Sequence, residues 1–130
     1  MRIYLLIFLA SGFGGILRYW FGGLIQSWWG PTFPAGTLVV NVSGCLGIGF
    51  FATLFSGPSL IREEYRVAIL VGIFGGYTTF SSFGREMTLL AREGEWSRAA
   101  AYLLLTNVVG ILAVGFGNVL ATTFCRTEGA

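Results

Sequence analysis

The sequence contains no lysine, no aspartate and no histidine, so its charge comes from eight arginines and six glutamates among 130 residues. Charged residues make up 11% of the chain, whereas a soluble domain carries about 25%. Without histidine or aspartate, and without a Gly-x-Ser-x-Gly elbow, acid–base and nucleophilic catalysis have few candidate residues. We therefore predict that the protein is not an enzyme.

The chain has only two cysteines, Cys45 and Cys125. Neither belongs to a pattern with the spacing of a metal site. We interpret both as free, buried thiols that pack as small apolar side chains.

Long stretches without charge indicate membrane-spanning segments. The uncharged runs are Ile3–Leu17, Tyr19–Ile61, Val67–Gly84 and Ala99–Cys125. A spanning helix needs roughly 20 apolar residues, and the second run holds the end of one span, a Pro- and Gly-containing turn at 27–34, and a complete second span. We predict an all-α membrane protein. It forms a single four-helix transmembrane domain over 1–130, with helices at about 3–25, 36–56, 66–91 and 97–123.

The third apolar run is poorly suited to a continuous helix. Its centre reads Gly72-Ile73-Phe74-Gly75-Gly76-Tyr77-Thr78-Thr79-Phe80-Ser81-Ser82-Phe83. Non-helical backbone at membrane depth is tolerated only where protein buries it or where it lines a cavity. We therefore predict a break in helix 3 that forms an ion or substrate site.

The arginines show little preference for one side of the membrane. With four spans, one side carries Arg2, Arg62, Arg66 and Arg126, and the other carries Arg92 and Arg98, with Arg18 and Arg85 near span ends. Orientation in the membrane follows an excess of Arg or Lys on one side. A near-zero excess permits insertion both ways and hence an antiparallel dimer, although a single topology with a weak signal remains open.

Glycine clusters in spans 1, 2 and 4 indicate close helix packing, at Gly12, Gly14, Gly15, Gly44, Gly47, Gly49, Gly110, Gly115 and Gly117.

Several uncharged polar and aromatic side chains are candidates for an anion path. Asn41 offers two N–H donors, although an interhelical hydrogen bond would also satisfy a buried amide. Phe80 and Phe83 share a helix face, where their electropositive ring edges suit an anion; the alternative is that they are core or lipid-facing aromatics. Ser81, Ser82 and Thr106 extend a hydroxyl track, or else make ordinary helix hydrogen bonds.

Charged groups and backbone carbonyls supply further candidates. Arg18 either attracts anions to a vestibule or extends to the interface, and Glu86 is an interfacial charge or a site residue. Carbonyls freed between Gly75 and Thr79 would suit a small cation. Because the break holds no acidic residue, Na⁺ fits better than a divalent ion.

These motifs together resemble the Fluc (CrcB-type) family of small fluoride channels. The matching elements are Leu17-Arg18-Tyr19-Trp20, Gly36-Thr37-Leu38-Val39-Val40-Asn41 and Gly75-Gly76-Tyr77-Thr78-Thr79-Phe80-Ser81-Ser82-Phe83. The resemblance runs along essentially the whole chain. It implies an antiparallel, dual-topology homodimer with two fluoride pores and a central structural Na⁺.

The resemblance also implies roles for individual residues. The pore residues would be Asn41, Phe80, Phe83, Ser82 and Thr106. The carbonyls of Gly75 and Thr78 would hold Na⁺, and Arg18 and Glu86 would lie at the vestibule. Two departures stand out: Tyr77 replaces a smaller aliphatic residue, and Gly84-Arg85 replaces small residues before Glu86.

We therefore expect a channel of the inner (cytoplasmic) membrane that exports F⁻ passively and lowers intracellular fluoride. Its partners would be fluoride, lipid and a second copy of the chain, and no nucleic acid. One alternative is a small dual-topology multidrug-type transporter, which would be expected to carry a Glu in span 1, where this chain has none. A purely structural membrane subunit is a further alternative, but it gives no reason for the polar break beside two spaced phenylalanines.

Overall fold

The structure is a computed structural model that describes residues 1–56 and 61–128. Within these ranges, every regular element is helical. Four helical stretches of the described chain are long and apolar enough to cross a membrane. They are Arg2–Trp29, Ala35–Leu54, Glu63–Arg92 and Trp96–Arg126. The predicted all-helical architecture with four apolar spans is confirmed.

The spans comprise five helices, which we number in chain order. The first two are α1 (Arg2–Trp29) and α2 (Ala35–Leu54). The third, α3, joins Glu63–Val67, a π-helical segment Ala68–Ile73 and Phe74–Tyr77. Next is α4 (Phe80–Arg92). The last, α5, joins Trp96–Leu104, a π-helical segment Leu105–Val109 and Gly110–Glu128.

Two glycines end helices in the left-handed region, where a side chain would be strained. Gly30 (φ 88°) ends α1, and Gly94 (φ 75°) follows α4. Because Trp28 and Trp29 continue the helix up to Gly30, α1 extends four residues beyond the predicted end at 25. The α1–α2 turn is tied by the side chain of Gln26, whose Nε2 donates to the Phe33 carbonyl at 2.9 Å and whose Oε1 accepts from the Gly36 amide at 3.0 Å.

The helices approach most closely at glycines. A Cβ added to Gly49 would overlap the Val114 backbone, and one added to Gly117 would overlap the Leu46 carbonyl. Glycine therefore lets the α2 and α5 backbones come into contact. Gly14 similarly brings α1 onto α3. An added Cβ would meet no atom of the described residues within 4 Å at Gly12, Gly15 or Gly115, so the expected close contact is not formed there.

A small apolar core lies where α4 and the start of α5 meet. It consists of Phe83, Leu90, Ala99 and Tyr102, with Phe33, Leu38 and Met87 packed against it. This core fixes α4 immediately after the polar segment of the third span.

Candidate functional site

The third span has non-helical backbone between α3 and α4. Thr78 (φ −78°, ψ 157°) and Thr79 (φ −151°, ψ 115°) are extended. Thr79 caps α4, because its Oγ1 accepts from the Ser82 amide at 3.2 Å. The two halves of the span thus meet at a pair of extended residues.

The side chain of Asn41 on α2 holds this extended segment. Its Oδ1 accepts from the Thr79 amide at 2.7 Å, and its Nδ2 donates to the Thr79 carbonyl at 3.0 Å. Asn41 is 8% exposed. The interhelical hydrogen bond considered for this amide is therefore present. It uses one of the two Nδ2 hydrogens, so one N–H remains for another acceptor.

The carbonyls of Gly75 and Thr78 lose the partners that a continuous helix would give them. A helix bonds each carbonyl to the amide four residues later, which here belongs to Thr79 and Ser82. The Thr79 amide donates to Asn41, and the Ser82 amide donates to the Thr79 hydroxyl. Gly75 is also exposed on an open face of the chain.

Phe80 and Phe83 lie on the same side of α4 but in different environments. Their ring centroids are 5.6 Å apart, with an interplanar angle of 46°. Phe80 is 81% exposed, whereas Phe83 is 5% exposed. The Phe83 ring packs on Tyr102 at a centroid distance of 5.0 Å. Phe83 is thus a core residue that also reaches a cleft, and Phe80 projects from the protomer.

One cleft collects most of the predicted anion-path residues. Its volume is about 360 Å³, and its lining includes Asn41, Thr79, Phe80, Phe83 and Thr106. Mostly apolar walls with a few polar groups are typical of selective small-ligand sites. The structure therefore brings together the predicted amide, both aromatic rings and one hydroxyl.

Thr106 contributes a polar atom to this cleft that has no partner in the described chain. Its Oγ1 is buried and makes no hydrogen bond. It lies in the π-helical segment Leu105–Val109, a geometry often found at functional sites. A buried hydroxyl without a partner is costly.

Three further predicted residues, Arg18, Ser82 and Glu86, lie around a second cleft of about 530 Å³, which Thr37 also lines. Ser82 and Thr106 therefore do not share one cleft. Thr79 lines both clefts, so the extended segment lies between them.

Glu86 has two partners that the sequence did not reveal. Its Oε1 accepts from the Thr37 hydroxyl and its Oε2 from the Tyr102 hydroxyl, each at 2.7 Å. Tyr102 is fully buried (0% exposed). Thr37 carried a signal as part of the Gly-Thr-Leu element, but Tyr102 sits in an apolar helix with no motif around it.

Four apolar helices of membrane-spanning length define a multi-pass membrane protein. The chain belongs to the CrcB family: the family model described as "CrcB-like protein, Camphor Resistance (CrcB)" matches residues 5–118. The family that the motifs indicated is therefore confirmed.

Several relatives cover nearly the full chain, and each carries the name fluoride-specific ion channel FluC. The Paramagnetospirillum magneticum protein is 43% identical over 128 residues, which is 97% of this chain and 100% of the relative. The Methylocella silvestris protein is 40% identical over 129 residues, 98% of each chain. The Solibacter usitatus protein is 46% identical over 118 residues, 91% of this chain and 97% of the relative.

Proposed function

We propose that this protein is a fluoride-selective channel, not an enzyme, that lets cytoplasmic F⁻ leave the cell passively. The name of its full-length relatives supports fluoride as the ion. The observation that carries the mechanism is the cleft in which Asn41, Phe80, Phe83 and Thr106 meet without a formal charge.

Such a cleft suits an anion that must bind and then leave. The spare N–H of Asn41 and the unpartnered hydroxyl of Thr106 are donors that replace water around F⁻. The ring edges of Phe80 and Phe83 add positive potential. Because none of the described residues that line this cleft is an arginine, binding stays weak enough for release, as conduction requires.

The second cleft would serve as the vestibule through which anions enter this path. Arg18 on α1 raises the local anion concentration there, and Ser82 supplies a hydroxyl beside Thr79. Glu86 is held by Thr37 and Tyr102, and it shapes the wall of the vestibule. An anion would then pass the extended segment at Thr79 to reach the apolar cleft.

The driving force follows from the membrane potential. Hydrogen fluoride is a weak acid that crosses membranes uncharged and dissociates inside, so F⁻ accumulates in the cytoplasm. A negative interior expels each F⁻ with about 2.3 kcal/mol per 100 mV. We therefore place the protein in the inner (cytoplasmic) membrane.

We further propose that the chain, as a single four-helix domain, works as an antiparallel homodimer. In one protomer the Phe80 ring and Gly75 are exposed, and the cleft beside them is open. A second copy across this face would cover Phe80 and complete the walls of two paths. The small arginine bias between the two ends permits both orientations.

The freed carbonyls of Gly75 and Thr78 fit a structural Na⁺ at the centre of this dimer. Hard cations prefer oxygen ligands, and the amides that would compete for these carbonyls donate to Asn41 and Thr79 instead. A bound cation would neutralise the carbonyl dipoles of two apposed protomers. The chain's own contribution is to direct those two amides elsewhere and to hold the extended segment in place.

The multidrug-type transporter is not supported. The compared relatives carry the name of a fluoride channel. The acidic side chain nearest the break, Glu86, is already engaged by two hydroxyls.

An efflux assay tests the proposal. Purified protein is reconstituted into liposomes loaded with KF or KCl, valinomycin balances the charge, and ion-selective electrodes record F⁻ and Cl⁻. We expect fast F⁻ efflux and little Cl⁻ efflux.

Phe80→Ile and Phe83→Ile should each cut F⁻ efflux at least tenfold, and Phe8→Ile, on an exposed face of α1, serves as the matched control. Absent F⁻ efflux, or comparable Cl⁻ efflux, would refute the proposal.

A further inference from the structure

Tyr77 is the last helical residue before the extended segment, and it is not among the described residues that line the two clefts. It is 8% exposed. Its ring lies directly against Gly44 on α2, where an added Cβ would come within 3.1 Å of Tyr77 Cδ1. The ring therefore crosses from α3 to α2 through a gap that glycine leaves open.

The phenol hydroxyl of Tyr77 begins a series of two hydrogen bonds. Its hydroxyl lies 2.9 Å from Ser43 Oγ, and Ser43 Oγ lies 3.1 Å from the Val40 carbonyl. A serine hydroxyl has one hydrogen, and a carbonyl can only accept. Tyr77 therefore donates to Ser43, and Ser43 donates to Val40. At membrane depth a phenol needs such a partner.

Helix α2 thus contacts the third span by hydrogen bonds at two points, one on each side of Thr78. Ser43 holds Tyr77 before it, and Asn41 holds Thr79 after it. The methyl group of Thr78 itself rests against Gly44. The peptide groups around Thr78 are thus fixed at both ends to the same helix.

We propose that Tyr77 is a positioning residue for the cation site, acting through Ser43 to hold the Gly75 and Thr78 carbonyls in place. This inference rests on the proposed function, because it assigns Tyr77 to the cation site described there. Tyr77 itself does not touch the ion. It restricts the carbonyls to one arrangement, so less ordering remains to be done when the cation binds.

The test measures Na⁺ binding apart from flux. A ligand that binds only the folded state raises its stability with concentration, so thermal unfolding of the detergent-solubilised protein is followed against NaCl, with N-methylglucamine chloride keeping ionic strength constant. Tyr77→Phe keeps the ring but loses the donor, and Ser43→Ala loses the acceptor. We expect each to raise the Na⁺ concentration for half-maximal stabilisation at least threefold. The double variant should show no further shift, since both changes remove one interaction.

Two controls make the result decisive. Tyr4→Phe, at a 75% exposed tyrosine, should keep the wild-type Na⁺ dependence. At saturating Na⁺, Tyr77→Phe and Ser43→Ala should conduct F⁻ at the wild-type rate, because the anion path is unchanged. Wild-type Na⁺ dependence in both variants overturns the role of Tyr77, and so does a wild type that does not respond to Na⁺. Neither outcome touches the channel proposal, which fails only if the wild type does not conduct F⁻ selectively.

Discussion

The side-chain amide of Asn41 pairs with both backbone groups of Thr79, with an acceptor distance of 2.7 Å and a donor distance of 3.0 Å. This pair replaces the backbone hydrogen bonds that a continuous helix would make at Thr79. It also leaves one N–H of Asn41, a residue that lines the cleft, unused by this pair. One residue thus maintains the extended segment, and in the proposed channel it would also contribute a donor to the anion path.

Replacing Asn41 with alanine should therefore lower both stability and flux. Each buried backbone group left without a partner costs about 1–3 kcal/mol, so we expect the free energy of unfolding to fall by about 2–4 kcal/mol. Asn41→Asp keeps an acceptor for the Thr79 amide, but its ionised carboxylate would be buried against the Thr79 carbonyl, so its free energy of unfolding should be no higher than that of the alanine variant. Thermal unfolding in detergent measures the order. Equal stability of all three proteins would contradict the pairing.

Thr106→Val should separate stability from conduction. Valine has nearly the same shape, and the Thr106 hydroxyl is buried without a partner in the described chain. Removing it should leave the free energy of unfolding unchanged or raise it by about 1 kcal/mol. F⁻ efflux should fall several-fold, because the path loses a donor. Undiminished F⁻ efflux would show that the Thr106 hydroxyl does not contribute to the anion path.

Phe80 and Phe83 should differ in what they stabilise. Phe83 is buried in the α4–α5 core, so Phe83→Ile should lower the free energy of unfolding of the protomer by about 1–3 kcal/mol. Phe80→Ile should change it by less than about 0.5 kcal/mol and should instead weaken self-association. Unfolding curves and dilution-dependent cross-linking measure the two effects. Strong self-association of Phe80→Ile would argue against a dimer face at Phe80.

The hydrogen bond from the Tyr102 hydroxyl to the Glu86 carboxylate should stabilise the fold. Tyr102→Phe preserves the ring contacts with Phe83 and Phe33 but removes the 2.7 Å hydrogen bond. Hydrogen bonds to charged groups contribute about 1.5–3 kcal/mol, and we expect a loss of that size in thermal or urea unfolding. Tyr4→Phe is again the matched control. A variant as stable as wild type would show that the bond contributes nothing.

Dual topology can be read from chemical labelling. A cysteine replaces Glu93, which is exposed between α4 and α5, in a chain carrying Cys45→Ala and Cys125→Ser. In sealed spheroplasts, a membrane-impermeant maleimide should label about half of the molecules if both orientations occur equally. Permeabilised cells give the total. Labelling of all molecules, or of none, would indicate a single topology.

The sequence by itself determined the four apolar helices, because hydropathy and the absence of charge are local properties of the chain. It also pointed to the polar segment of the third span through glycine and hydroxyl content, and its motifs indicated the family. Helix ends were less certain: α1 runs to Trp29 because the helix stops only where Gly30 takes a positive φ.

Only the tertiary structure decided which polar groups meet. Asn41 reaches Thr79 across 38 positions of sequence, and Thr37 reaches Glu86 across 49. Such pairs depend on the distance between the helices and on their rotation about their axes. The close contacts at glycines set both, and the hydropathy of the sequence does not predict them. The same packing places Ser82 and Thr106 in different clefts and gives Tyr77 its partner on α2.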